Sequence, residues 1–214
     1  MRAIVLPVKS LSESKTRLSP VLTPLERGAL TLAMLEDVMD VTEAIGGWET
    51  WVVSPDESVL EIALSRSAHA VTEEKPTLTS AIRQVEEEAT SRGVSVLAVL
   101  LPDTPLVTPD ALAGALRTLG PVVLAPAADE AGTNLLVRRP PTAIRARFGA
   151  DSYRKHLEAA ASADLPTAVI EAPELAFDLD LPGDILTFLD ARRRGRTAEV
   201  CLDMDLPARI AIRT

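Results

Sequence analysis

Apolar runs alternate with amphipathic stretches along almost the whole chain, and this alternation restricts the fold more than any other feature. Short apolar segments predict strands at Ala3–Val8, Thr50–Ser54, Ala68–Thr72, Val94–Leu101, Val122–Pro126, Asn134–Val137 and Ala168–Ile170. The stretches between them predict helices at Pro24–Ala44, Asp56–Arg66, Leu78–Arg92, Pro109–Thr118, Asp151–Ala161 and Pro182–Arg194. Strands separated by helices at this spacing form βαβ units. The expectation is an α/β fold with a mostly parallel sheet and helices on both faces.

Two helix starts are marked in the same way. Thr23-Pro24-Leu25-Glu26 and Ser54-Pro55-Asp56-Glu57 each offer a hydroxyl cap, a proline at the first helical position and a glutamate that returns to the cap. In the first long helix Leu25, Leu32, Leu35, Val38 and Met39 fall on one stripe and should pack on the sheet. The cluster Arg192-Arg193-Arg194-Gly195-Arg196 reads as a helix C-terminus, where cations meet the dipole. There is no internal repeat and no low-complexity linker. One domain over residues 1–195 is expected, followed by a tail over 196–214 that packs on it and holds one or two short strands.

Composition narrows the class. With 22 Lys+Arg against 31 Asp+Glu the formal charge is −9, which argues against nucleic acid or an anionic membrane as a partner. No apolar run reaches the roughly 18–20 residues of a membrane span, and the first seven residues are too short an apolar stretch for a secretory leader. Cys201 is the only cysteine, which excludes an intrachain disulfide and a cysteine-based zinc site. These features read as cytoplasmic. Anionic small molecules stay open, provided local cations or a metal offset the average field. Only four basic residues are lysines, and two of them, Lys9 and Lys15, lie near the N-terminus. A lysine is a compact point charge suited to phosphate.

The carboxyl ends of the strands are where an open α/β sheet binds ligands. The first strand opens into Lys9-Ser10-Leu11-Ser12-Glu13-Ser14-Lys15-Thr16-Arg17-Leu18-Ser19, three cations with several hydroxyls. Such a loop can wrap a triphosphate, or it can be a solvated connection; it carries neither a P-loop nor a dinucleotide fingerprint. The run Val94–Leu101 is apolar at every position but Ser95, as a strand buried on both faces should be, and it ends in Pro102-Asp103-Thr104-Pro105. Asp103 is placed either to coordinate Mg²⁺ beside substrate phosphates or simply to make the turn. In Phe177-Asp178-Leu179-Asp180-Leu181-Pro182, two aspartates alternate on what reads as a strand end. Asp180 is a candidate second metal ligand with Asp178 in support, or one of the pair caps the following helix. Gly132-Thr133-Asn134 and Phe148-Gly149-Ala150-Asp151-Ser152 join small or hydroxylated turns to regular elements, the second at a helix N-terminus suited to an anion. His156, one turn further on, reads as structural.

Taken in order, these segments resemble one family. Pro7-Val8-Lys9, Lys15-Thr16-Arg17-Leu18-Ser19, Glu26-Arg27, Met34-Leu35-Glu36-Asp37-Val38, Asp103-Thr104-Pro105-Leu106, Gly132-Thr133-Asn134, Phe148-Gly149-x-x-Ser152-x-x-x-His156 and Asp178-x-Asp180-x-Pro182-x-Asp184 look like the 2-phospho-L-lactate guanylyltransferases and their phosphoenolpyruvate-using bacterial relatives, of coenzyme F420 biosynthesis. The resemblance spans roughly residues 2–190. More distantly the chain is similar to molybdenum-cofactor guanylyltransferases and other nucleotidyltransferases of Rossmann-like fold. The resemblance implies a Mg²⁺-dependent guanylyltransferase that joins GMP from GTP to 2-phospho-L-lactate, phosphoenolpyruvate or 3-phosphoglycerate and releases pyrophosphate. It further implies that Leu6, Pro7, Val8, Lys9, Lys15 and Arg17 bind the nucleotide, with Lys15, Arg17 and Asp103 catalytic. Asp103 and Asp180 would bind Mg²⁺ with Asp178 beside them, and Thr133, Gly149 and Ser152 would cradle the phosphoacid.

Two other readings use the same residues. One is a nucleotidyltransferase for a different acceptor, a molybdopterin or a sugar phosphate; an aromatic content of 3% makes a large stacking pocket the weaker expectation. The other is a non-catalytic nucleotide-binding regulator, against which the joint presence of Lys15, Arg17, Asp103 and Asp180 speaks. A homodimer through the tail strands is an open option.

Overall fold

A seven-stranded sheet with strand order β3-β2-β1-β4-β6-β5-β7 organises the computed structural model, which describes residues 1–212. The strands are β1 (Arg2–Pro7), β2 (Glu49–Ser54), β3 (His69–Thr72), β4 (Val96–Leu100), β5 (Val122–Pro126), β6 (Thr133–Arg138) and β7 (Thr167–Val169). The helices are α1 (Pro24–Glu43), α2 (Glu57–Ser65), α3 (Leu78–Ser91), α4 (Pro109–Arg117), α5 (Ser152–Ser162), α6 (Pro173–Ala176), α7 (Pro182–Asp190), α8 (Arg196–Asp203) and α9 (Leu206–Ala211). All seven expected strands and all six expected helices are present, with ends shifted by a few residues.

Neighbouring strands run parallel except at β6, which is antiparallel to both β4 and β5. This exception matters for the site. Because β6 runs backwards, its first residues, Thr133 and Asn134, reach the same sheet edge as the last residues of β4; the Leu101 N–H donates to the Asn134 carbonyl at 2.9 Å.

Helices cover both faces. On one, Leu35, Val38 and Met39 of α1, Val59 of α2 and Leu112 of α4 pack on Ile4, Leu6, Val52 and Leu100. On the other, Ile82 and Val85 of α3 and Ala160 of α5 pack on Val5, Trp51, Val99 and Leu136. A third apolar cluster lies on the outer side of α1, where Leu30 and Met34 meet Phe188 of α7, Cys201 of α8 and Leu206 of α9. Helix α1 is thus buried on two sides.

Several expectations need correction. The tail holds no strand among its described residues: 196–203 and 206–211 are the helices α8 and α9. They dock because Asp37 of α1 caps α8 across the chain, its carboxylate accepting from the backbone N–H groups of Arg196 and Thr197 at 2.8 and 2.9 Å. An anion at a helix N-terminus satisfies donors that have no intrahelical partner. Gly195 permits the approach, since a Cβ there would lie 2.7 Å from that carboxylate. The strand edge that would have offered one route to a homodimer is therefore not formed among the described tail residues.

The capping box at Thr23 and Glu26 forms. The one expected at Ser54 does not. Ser54 ends β2 and its hydroxyl accepts from the Asp56 N–H, while Asp56 stands at the N-cap and spends its carboxylate on the N–H of Leu11. Leu25 is 84% exposed and leaves the expected stripe. Helix α7 ends at Asp190, so the arginine cluster lies past it, and Arg193 donates to the Val107 carbonyl at 2.8 Å.

Candidate active site

Lys15 is brought to the carboxyl edge of the sheet by contacts that begin on α1. Arg27 donates from Nε to the Ser14 carbonyl at 3.0 Å, and Thr31 donates to the Ser14 hydroxyl at 2.9 Å. With Ser14 held from below, Lys15 adopts a left-handed backbone (φ 48°), uncommon for a side-chain-bearing residue. Its ammonium then lies 2.9 Å from Oδ2 of Asp103 and 2.7 Å from Oδ1 of Asp180. Burial alone would lower the Lys15 pKa, but the two carboxylates more than offset this and raise it above the usual lysine value. Lys15 is therefore a permanent cation. Arg17, 71% exposed, reaches Asp180 at 3.6 Å and leaves most of its guanidinium to solvent.

The two aspartates come from irregular segments tied to each other. Asp103 follows β4, and its carbonyl accepts from the Leu179 N–H at 3.0 Å. Asp178 and Asp180 lie between α6 and α7 and not on a strand, which corrects the earlier expectation. Neither caps α7. Asp184, inside its first turn, accepts from the N–H groups of Asp180 and Leu181 at 2.9 and 2.6 Å and so fixes the backbone of Asp180. Asp178 is pushed up to about 6, first by burial and then by the charges of Asp103 and Asp180.

Lys15, Arg17, Asp103 and Asp180, but not Asp178, border a cavity of about 310 Å³ lined also by Pro7, Val8, Lys9, Ser14, Leu78 and Pro102, among others. That volume lies at the small end of ligand sites. Of the expected nucleotide residues, Leu6 is absent from the lining; its side chain is fully buried in the core beneath.

The donor set suits a hard divalent cation. It offers carboxylate oxygens only, and Oδ1 of Asp103 is buried without a hydrogen-bond partner among the described residues. No three His, Cys, Asp or Glu side chains among the described residues form a ready-made cage. Magnesium does not need one, since it takes one or two carboxylates together with substrate phosphates.

Thr133, Gly149 and Ser152 do not line this cavity. Thr133 and Ser152 are 1% and 2% exposed, with their hydroxyls 3.2 Å apart. The loop before α5 turns at Gly149 (φ +108°), a conformation that glycine adopts without strain, and the Ser152 N–H returns to the Gly149 carbonyl at 3.1 Å. His156, expected to be structural, is fully buried and touches this group, its Nδ1 3.0 Å from Oγ1 of Thr133. Burial first, then the charges of Arg138 and Arg147, lower its pKa to about 4.

Sequence reasoning missed Ser14, Arg27, Thr31 and Asp184 as supports. The signal for two of them was present, since Arg27 and Asp184 both sit inside the ordered motifs.

Comparison with known proteins identifies the family of the chain. The model of a family described as guanylyl transferase CofC like matches residues 1–197. The phosphoenolpyruvate guanylyltransferase of Sphaerobacter thermophilus is 39% identical over 85% of this chain and 89% of its own. The 3-phospho-D-glycerate guanylyltransferase of Phenylobacterium zucineum is 34% identical over 95% and 97%. The 2-phospho-L-lactate guanylyltransferase of Methanocaldococcus jannaschii is 29% identical over 85% and 80%. Among solved structures, a 4-diphosphocytidyl-2C-methyl-D-erythritol synthase superposes with a TM-score of 0.61 at 14% identity, covering 90% of this chain and 99% of that one. Identity that low speaks to the fold alone.

Proposed function

This chain belongs to the CofC-like guanylyl transferase family, and on that premise we propose that it transfers GMP from GTP to a phosphorylated three-carbon acid with release of pyrophosphate. The observation that carries the reading is the convergence of Lys15, Asp103 and Asp180, from three distant segments, at the wall of one cavity on the carboxyl edge of the sheet.

The reaction follows from the charges. A phosphate oxygen of the acceptor attacks the α-phosphorus of GTP in line; a P–O bond forms there as the bond to the β-phosphate oxygen breaks, and pyrophosphate carries away the electron pair. The nucleophile is already an anion, so no general base is required. His156, neutral above pH 4, is not asked to serve as one. Nucleotidyl transfer of this kind relies on positioning and charge stabilisation more than on covalent help.

Two polyanions must meet inside a chain of net charge −9. Unit charges 4 Å apart repel by about 4 kcal/mol at an effective dielectric of 20, so several such terms need offsetting. Lys15, Lys9 and Arg17 supply fixed positive charge at the cavity, and Pro7 and Val8 form its wall beside β1. Asp103 and Asp180 would hold Mg²⁺, with Asp178 beside them. The ion, when bound, would neutralise phosphate charge and favour departure of pyrophosphate. Thr133, Gly149 and Ser152 would receive the acceptor acid at the next position along the sheet edge.

Mass spectrometry of the product made from GTP, Mg²⁺ and an equimolar mixture of phosphoenolpyruvate, 3-phosphoglycerate and 2-phospho-L-lactate tests the reading. A guanosine diphosphate ester of one of these acids is expected. No such ester from any of them, with GTP recovered intact, would contradict it.

A further inference from the structure

His156 holds more than the core around it. Its Nε2 lies 2.8 Å from the backbone nitrogen of Arg147, which can only donate. Nε2 must therefore carry a lone pair, and the single proton of the neutral ring is placed on Nδ1. Nδ1 faces Oγ1 of Thr133 at 3.0 Å, so here the histidine donates and the threonine accepts.

This direction decides what Thr133 and Ser152 can offer a ligand. The two hydroxyls carry two protons and contact each other at 3.2 Å, a contact that uses one proton. With Nδ1 as donor, the second hydroxyl proton has no acceptor among the described residues. In the opposite tautomer Thr133 would donate to the ring and Ser152 to Thr133, leaving no free O–H. The phosphate and carboxylate groups of a phosphoacid present acceptors only, so a hydroxyl pair that binds them needs the first arrangement.

Resting on the acceptor position proposed above, we infer that His156 is a positioning residue which, locked in the Nδ1–H tautomer by the Arg147 backbone, turns the Thr133–Ser152 hydroxyl pair into a donor for the anionic acceptor. The same ring ties together the three pieces of that position: β6 through Thr133, the loop before α5 through Arg147, and α5 itself. Phe148 packs edge-on against the ring at 5.1 Å between centroids and limits its rotation.

Two variants separate the hydrogen bonds. His156→Asn keeps a donor near Nδ1 and loses the acceptor for Arg147; His156→Gln does the reverse. The KM for the phosphoacid should rise about tenfold or more in His156→Gln, the usual cost of losing a hydrogen bond to a charged group, with kcat and the KM for GTP unchanged. His156→Asn should restore most of that loss. A purely structural role would give the opposite order, with Gln the milder change, or would move kcat and both KM values together; either result overturns the inference. Should both variants fail to fold, ¹⁵N NMR of the unaltered protein decides it: Nδ1 protonated and Nε2 bare supports the role, and the reverse overturns it. Absence of turnover on every phosphoacid by unaltered protein would overturn the proposed reaction and this role together. Normal turnover with the reversed tautomer would overturn the role alone.

Discussion

The ammonium of Lys15 lies 2.7 Å from a carboxylate oxygen of Asp180, although 165 positions separate the two residues. Lys15 makes a second contact, to Asp103, and is itself only 7% exposed at the side chain. Lys15→Ala would leave two carboxylates facing one another and would remove a fixed charge from the phosphate site. Loss of one such preorganised contact costs about 10²–10³ in rate. Pyrophosphate release from GTP and phosphoenolpyruvate should fall by that order in Lys15→Ala, and retention of more than a tenth of the rate would place Lys15 outside the chemistry.

Arg27 does not itself line the cavity, yet its contact to the Ser14 carbonyl helps to hold the turn on which Lys15 stands. Displacing a catalytic group by about 1 Å can cost up to 10²-fold. Arg27→Met is expected to lower kcat by about tenfold or more, with circular dichroism and the KM for the phosphoacid nearly unchanged. Steady-state kinetics with each substrate varied in turn would show whether the effect lies in kcat.

Asp37 ties α8 to α1 through two backbone N–H groups. Asp37→Ala should destabilise the protein by about 1–2 kcal/mol, the upper part of the range for a lost N-cap. Gly195→Ala should do at least as much, because its Cβ would collide with the same carboxylate. Urea titration monitored by circular dichroism measures both, and activity well below the unfolding transition should persist.

The pH dependence of stability carries the sign of His156. Its pKa is about 4 when folded against 6.5 for a free histidine, so the unfolded chain binds a proton in that window that the folded chain refuses. The stability it contributes is complete above pH 6.5 and is lost as pH falls through 4. Relative to His156→Asn, the unaltered protein should lose up to about 3 kcal/mol between pH 6.5 and 4. Denaturant unfolding at a series of pH values would show it; parallel curves for the two proteins would mean that His156 is not held neutral by the fold.

Much of the architecture was legible because strand and helix periods differ so clearly in this chain. Val94–Leu101, apolar at every position but Ser95, reads as a strand covered on both faces, and β4 has four of its five residues fully covered. What stayed hidden has physical reasons. Strand β6 is also buried throughout, so nothing in its pattern distinguishes parallel from antiparallel, yet its reversal is what carries Thr133 to the site. Helices α8 and α9 are six to eight residues long and depend on Phe188, Leu206 and the Asp37 carboxylate, all of which are tertiary. Local spacing could not reveal that Asp184 would anchor Asp180, or that a histidine on α5 would meet a threonine on β6. Asp103 and Lys15, by contrast, were legible from their places in the segments that follow β4 and β1, on the side of the sheet where chemistry in this class of fold is placed.

The central claim is that Asp103 and Asp180 act as a pair, with Lys15, to bring GTP and a phosphoacid together. The most direct measurement is Mg²⁺-dependent pyrophosphate release from GTP and phosphoenolpyruvate, or whichever acid is the acceptor, in the unaltered protein and in Asp103→Asn, with folding verified by circular dichroism. The account predicts release only when the acid is present, and a loss of at least about 10²-fold in the variant. Turnover in folded Asp103→Asn at the rate of the unaltered protein would contradict it.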